Sequence, residues 1–246
     1  MKPTKIFPLA PEVVCSCGCG SMADRTRRLF LCNATAGAAV VLAGATLIGA
    51  LPASAQSTLT PDAALKALMD GNQRYVRGQL LSLDEDLSIL KANTAEKQEP
   101  FAAVLSCADS RVPVEFVFDQ SIGQLFVVRV AGNVTTPEVI ASLEYGVAVL
   151  GTRVIVILGH GNCGAVKAAI EGKPVPGQIS TLYAPLRPAV AAAGGNLDAA
   201  IDANAKIQAT LLSEASPVIA GAIKEGKLSV VAARYDIASG KVSLLV

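Results

Sequence analysis

The sequence predicts an α/β fold with a mainly parallel central sheet flanked by helices and a C-terminal hairpin. Two observations carry this reading. Arg153 to Gly159 encloses an unbroken apolar run, Val-Ile-Val-Ile-Leu, and strands buried on both faces belong to parallel sheets covered by helices. Short apolar runs also alternate along the chain with segments of helical spacing, the pattern of that class. With 246 residues, 52% hydrophobic and 17% charged, the chain can bury one sizeable core and is not intrinsically disordered. A formal net charge of +1 gives no electrostatic reason to expect a nucleic-acid partner. Six cysteines are too few for a disulfide-dense scaffold.

The N-terminal segment reads as a targeting signal. Thr26-Arg27-Arg28-Leu29-Phe30-Leu31 precedes an Ala- and Gly-rich apolar run from Ala34 to Leu51, and Ala53-Ser54-Ala55 follows. A basic region, an apolar region and a small-residue cleavage site are the parts of a secretory signal. The paired arginines resemble a twin-arginine export signal. Residues 1–55 are therefore expected to be removed near Ala55, leaving 56–246 as one domain with 16 basic and 18 acidic residues. That places the mature protein in the periplasm or another extracytoplasmic space, with no stable membrane insertion. Cys15, Cys17, Cys19 and Cys32 fall in this leader, whose true start is either Met1 or Met22.

The elements follow in order. Thr60-Pro61 is an N-cap followed by proline at the first helical position. Leu65, Leu68, Met69, Asn72 and Tyr75 then fall at helical spacing, up to Gly78. Asp84-Glu85-Asp86 reads as a solvated loop or helix start, before a short helix to about Thr94. Phe101–Cys107 is a strand, Pro113–Asp119 a short helix and Leu125–Val130 a second strand. Thr135-Thr136-Pro137 opens a helix to about Leu150, with Val139, Leu143, Val147 and Leu150 as its buried stripe. The third strand is Arg153–Gly159. Ile179–Gly226 is helical in composition and is expected to break at Pro185, Pro188, Gly194-Gly195 and Pro217. Within it Leu197, Ile201, Ala205, Gln208 and Leu212 suggest one long amphipathic helix. Leu228–Asp236 and Lys241–Leu245 form the hairpin.

Once the leader is gone, two cysteines remain, Cys107 and Cys163, beside the chain's single histidine, His160. Cys107 ends the first strand and His160 the third, and open α/β sheets place ligands at those ends. In Gly159-His160-Gly161-Asn162-Cys163-Gly164 the glycines are expected to supply a tight turn. A helix entered at Ala165 would favour a thiolate at its N-terminus. Two thiolates and an imidazole suit zinc and leave a fourth position open; a disulfide is the other reading of two cysteines in an exported chain. Asp109 and Arg111 form either an ordinary loop ion pair or an oriented carboxylate beside the metal.

Cys107-x-Asp109-x-Arg111 followed by His160-x-x-Cys163-Gly164 resembles the β-class carbonic anhydrases. The segments Asp70–Tyr75, Arg129–Asn133 and Glu144–Gly146 match that family in character and order. The resemblance implies one zinc ion per subunit, on Cys107, His160 and Cys163. It implies reversible hydration of carbon dioxide to bicarbonate and a proton, through zinc-bound hydroxide. Asp109 and Arg111 would be the orienting dyad, with Asp109 a conditional fourth ligand at low pH. Gln98, Phe126, Tyr145 and Gly164 would bind substrate, the first three from across a subunit interface. From spacing alone, Phe126 reads as a core strand residue and Tyr145 as a buried helix residue. The family implies a homodimer or higher homo-oligomer.

Members with a regulatory bicarbonate site carry tryptophan where this chain has Val104, and the chain has no tryptophan. That implies the open state, with Asp109 paired to Arg111. A same-fold hydrolase of carbon disulfide or carbonyl sulfide shares these motifs. A non-catalytic zinc or redox-thiol module would need no Asp109–Arg111 pair.

Overall fold

A computed structural model describes residues 57–245. The leader, its Arg27-Arg28 pair, its cleavage site and Cys15, Cys17, Cys19 and Cys32 lie outside the described residues. Helix α1, Pro61–Val76, starts at Thr60, whose hydroxyl accepts from the Ala63 amide, and is closed by Arg77 and Gly78. Asp86 caps α2, Leu87–Thr94, by accepting from the Ser88 and Ile89 amides. Then come β1 (Ala102–Ser106), α3 (Val114–Val117), β2 (Leu125–Arg129), α4 (Pro137–Ala148) and β3 (Val154–His160). Helix α5 (Gly164–Glu171), a 3-10 turn (Ile179–Leu182), α6 (Tyr183–Ala192), α7 (Leu197–Ala215) and α8 (Pro217–Lys224) lead to β4 (Ser229–Tyr235) and β5 (Val242–Leu244).

The five strands lie in the order β2-β1-β3-β4-β5. The first three pairings are parallel, and β4 with β5 forms the antiparallel hairpin. Every residue of β1 and β3 is buried, whereas β2, at the edge, is half-buried. Alternation sorts the strand residues between two layers. Val104, Val156 and Leu158 pack with Leu68 from α1 and with Val117 and Phe118 at the end of α3. Leu105, Ile155 and Ile157 pack with Leu143, Leu212 and Ile219 from α4, α7 and α8. The chain leaves β1 for one side and returns through β3 on the other, so the strand order reverses between β1 and β3. That is where doubly wound sheets open a crevice at the carboxyl ends.

Two expectations about the long connection change. Pro185 and Pro188 do not break α6; the helix runs through both. Pro185 sits in the first turn, where its missing N–H has no partner to lose, and Pro188 costs the helix one internal bond. The chain does break at Gly194-Gly195, both left-handed (φ 56° and 86°), and Pro217 opens α8 behind the Ser216 cap.

Asp70–Tyr75 turns out to be a clamp that holds α1 on the sheet. A Cβ on Gly71 would stand 1.8 Å from the Phe118 carbonyl oxygen, so only glycine allows the close approach. Buried Asn72 donates to the Val117 and Gly240 carbonyls and accepts from the Val242 amide. Arg74 pairs with Asp119, and the Tyr75 and Tyr235 hydroxyls are 3.2 Å apart.

Candidate metal centre

Cys107 follows the last residue of β1, and His160 is the last residue of β3. These two neighbouring strands deliver both side chains to the same end of the sheet. Cys163 is the N-cap residue of α5. The turn between His160 and Cys163 is made by Asn162 at φ 54° rather than by a glycine. Asparagine tolerates the left-handed region better than most side chains. Gly159 has a different reason: a Cβ there would meet Ile201 at 3.2 Å and Ala205 at 3.6 Å, so it lets α7 lie close on β3.

One ligand atom from each of Cys107, His160 and Cys163 lies within 4.8 Å of the other two, and all three residues are buried. Both thiols are free. His160 Nδ1 lies 3.0 Å from the Gly161 carbonyl oxygen, which can only accept, so the hydrogen is on Nδ1 and Nε2 carries the lone pair. That Nε2 is buried and has no hydrogen-bond partner. A buried orphan acceptor costs free energy, and a metal ion with soft or borderline preference relieves that cost. Two sulfurs and an imidazole nitrogen form a zinc donor set, so the residues fit the ion.

The sulfurs sit among fixed main-chain donors. Gly132 N–H donates to Cys107 Sγ at 3.3 Å. Hydrogen bonding from the Cys163 thiol is the largest influence holding Cys107 below the usual thiol range, with the Gly132 amide adding to it against burial. Cys163 is pushed above the usual thiol range by giving that hydrogen and by burial, although the Val166 and Ala165 amides at the start of α5 oppose the rise.

Asp109 and Arg111 stand beside these donors. Arg111 Nε and Nη2 reach Asp109 Oδ1 and Oδ2 at 2.9 and 2.7 Å, and the Arg111 amide adds a bond to Oδ1 at 2.9 Å. Arg111 thereby holds the Asp109 carboxyl well below the usual carboxylate range, against the opposing effect of burial. Oδ2 is 3.9 Å from His160 Nε2. Arg111 Nη2 also donates to the Asn162 carbonyl at 3.2 Å, tying the dyad to the histidine–cysteine turn. Gly164 begins α5 next to Cys163, and a Cβ added there would meet nothing within 4 Å.

Gln98, Phe126 and Tyr145 are not brought to this end of the sheet within one chain. Phe126 pairs in register with Ala103, four residues before Cys107, and a strand advances about 3.3 Å per residue. Gln98 is exposed in the loop ahead of β1, at the amino end. Phe126 and Tyr145 contact one another, with ring centroids 6.3 Å apart. Phe126 is half-buried, and Tyr145 is 47% exposed rather than a buried helix residue. It lies over the edge of the sheet, where the chain's own layers end.

Reading the sequence missed the supports of the first cysteine. Arg129 donates to the carbonyls of both Cys107 and Asp109, at 3.0 and 2.6 Å. Asn204 donates to the Gly132 carbonyl at 2.9 Å. No spacing in the sequence links these residues to Cys107, because the link is made by the sheet.

Residues 102–242 match the family described as carbonic anhydrase. A carbonic anhydrase of Mycolicibacterium smegmatis is 37% identical over 192 residues, which is 75% of this chain and 93% of that one. A Coccomyxa β-carbonic anhydrase, solved with acetazolamide, superposes with a TM-score of 0.60 at 28% identity, over 74% of this chain and 86% of that one. A tetrameric β-carbonic anhydrase of Sordaria macrospora gives a TM-score of 0.59 at 26% identity, over 65% of this chain and 87% of that one. With the donor set, the sheet order and these likenesses in agreement, the chain belongs to the carbonic anhydrase family, in its β class.

Proposed function

We propose that this chain catalyses the reversible hydration of carbon dioxide to bicarbonate and a proton, with one zinc ion per subunit on Cys107, His160 and Cys163. The observation that carries this reading is the buried, unpartnered Nε2 of His160, grouped with two free thiols beside an arginine-locked carboxylate. Zinc, when bound, supplies the Lewis acidity that makes water a usable nucleophile near neutral pH. The ligand set carries a net charge of −2, which weakens that acidity, so the protein must help to manage the water. Asp109 does so. Its carboxylate, kept ionised by Arg111, accepts a hydrogen bond from the attacking water and aims the free lone pair at carbon. The chain has one histidine, and it is spent as a ligand, so the released proton leaves through water or buffer.

Gly164 leaves room for substrate beside Cys163. Gln98, Phe126 and Tyr145 line the pocket from a second copy, in a homodimer or larger homo-oligomer. The strand register and the exposed Tyr145 ring support this arrangement, as does the tetramer formed by the Sordaria relative.

Residues 1–55 are a twin-arginine-type signal cleaved near Ala55, and the mature protein works in the periplasm or another extracytoplasmic space. Arg27-Arg28, the apolar run and Ala53-Ser54-Ala55 support this. No helix among the described residues is long and apolar enough to cross a membrane. Such a route carries folded protein, so metal bound before export shields both thiols from oxidation.

Stopped-flow measurement of carbon dioxide hydration, before and after chelation, tests the activity. Hydration that disappears with the metal and returns with added zinc is the expected result. A zinc-loaded protein that leaves carbon dioxide untouched but hydrolyses carbon disulfide or carbonyl sulfide overturns the reading. Thiol titration of denatured exported protein should find two free thiols per chain; none would reject metal protection during export.

A further inference from the structure

Helix α7 carries two amide side chains in its buried face, Asn204 and Gln208, each 1% exposed. Burying an amide is costly unless it is bonded, and both are bonded to one turn, residues 131–135 after β2. Asn204 Nδ2 donates to the Gly132 carbonyl at 2.9 Å. Gln208 Oε1 accepts from the Thr135 amide at 2.7 Å, and Gln208 Nε2 donates to Asn204 Oδ1 at 3.1 Å. The turn is left-handed at Gly132 and Asn133, with φ of 78° and 43°. Gly132 is boxed in, since a Cβ there would stand 3.3 Å from Leu186 and 3.4 Å from Ala165. From this fixed place its N–H reaches Cys107 Sγ.

We infer that Asn204 is a positioning residue for the metal centre: acting through Gly132, it aims an N–H at the Cys107 sulfur and sets how strongly that sulfur donates to a bound metal. The inference rests on Cys107 being a metal ligand. Partners beyond the ligands orient them and tune the metal. An N–H donor stabilises the sulfur lone pair. Without it the donor level rises, and sulfur-to-metal charge transfer moves to lower energy.

The test uses the exported, processed protein loaded with cobalt(II), in which Cys107 and Cys163 are the two cysteines, so that sulfur-to-cobalt absorption reports on their thiolates directly. Asn204→Leu is compared with wild type and with Leu212→Ala, which opens the α7 packing in the apolar layer away from the turn. The expected result is a charge-transfer band at longer wavelength in Asn204→Leu and an unmoved band in Leu212→Ala. Should Asn204→Leu fail to fold, Gln208→Met, which frees the Thr135 end of the same turn, carries the same expectation. A band at the wild-type position in the folded variant, with only a lower melting temperature, overturns the inference. An equal shift in Leu212→Ala overturns it too. Wild-type protein that gives no sulfur-to-cobalt band would instead refute the metal centre itself.

Discussion

Arg111 holds both carboxylate oxygens of Asp109, at 2.9 and 2.7 Å, while one of those oxygens stands 3.9 Å from the bare nitrogen of His160. The carboxylate is thus close enough to the donor set to act on what binds there, and its pairing with arginine keeps it an acceptor. Charge-assisted bidentate pairs fix geometry as well as charge.

Asp109→Asn keeps the size of the side chain and removes the charge. Hydration should fall by roughly 100-fold or more, in the range seen when a positioned acid–base group is lost. Zinc content, measured by elemental analysis, should stay at one per chain. Wild-type turnover in this variant would rule out the role given to Asp109.

Asp119 makes folding stability depend on acid. Burial alone would raise its pKa, but the Ser82 amide, the Arg74 guanidinium and the Leu81 amide together outweigh burial and lower it. A carboxylate depressed in the folded state stabilises fully above its unfolded value of about 3.9, and that contribution fades as pH falls through the folded value. Asp119→Asn should therefore cost roughly 1–3 kcal/mol at pH 7. The gap to wild type should close as the pH is taken below about 4. Urea unfolding across this range decides the matter; a gap that stays constant would count against it.

Two glycine substitutions should behave in opposite ways. Gly71→Ala drives a methyl into the Phe118 main chain, and thermal melts should show a severe loss of stability or no folded protein. Gly221, inside α8, has open space where its Cβ would be. Gly221→Ala should be neutral or stabilising by about 0.5–1 kcal/mol, because alanine loses less backbone entropy in a helix.

Removing the metal should lower stability as well as activity. Dialysis against a chelator is expected to lower the melting temperature, and stoichiometric zinc should restore it together with hydration. Cys163→Ser should show the low melting temperature with or without zinc. An unchanged melt after complete chelation would mean that the ion does not hold the fold together.

The parallel strands and the hairpin were legible because apolar runs bounded by turn residues say where a buried strand must lie. The donor set was legible because Cys107, His160 and Cys163 sit in short motifs at strand ends. Asn72 was read as one more position on an apolar helical face, and Gln208 likewise. Spacing does not distinguish a residue buried for its carbon from one buried for its hydrogen bonds. Pro185 misled because proline in a first turn has no N–H bond to lose, and Pro188 because a helix can run on through the loss of one internal bond. Tyr145 misled because helical periodicity marks a face without saying whether this chain covers it.

β1 and β3 lie side by side, yet Cys107 and His160 are about fifty residues apart along the chain. An ion shared between them ties off that stretch as a crosslink would, and it takes freedom from the unfolded chain rather than adding contacts to the folded one. On a loop-entropy estimate such a tie is worth roughly 4 kcal/mol. The tied-off stretch contains β2 and α4, the elements that carry Phe126 and Tyr145. A chain that loses its ion should therefore unfold more readily along that stretch, so that the loss of a buried ion is felt at the face that carries Phe126 and Tyr145, the one proposed above for a second copy.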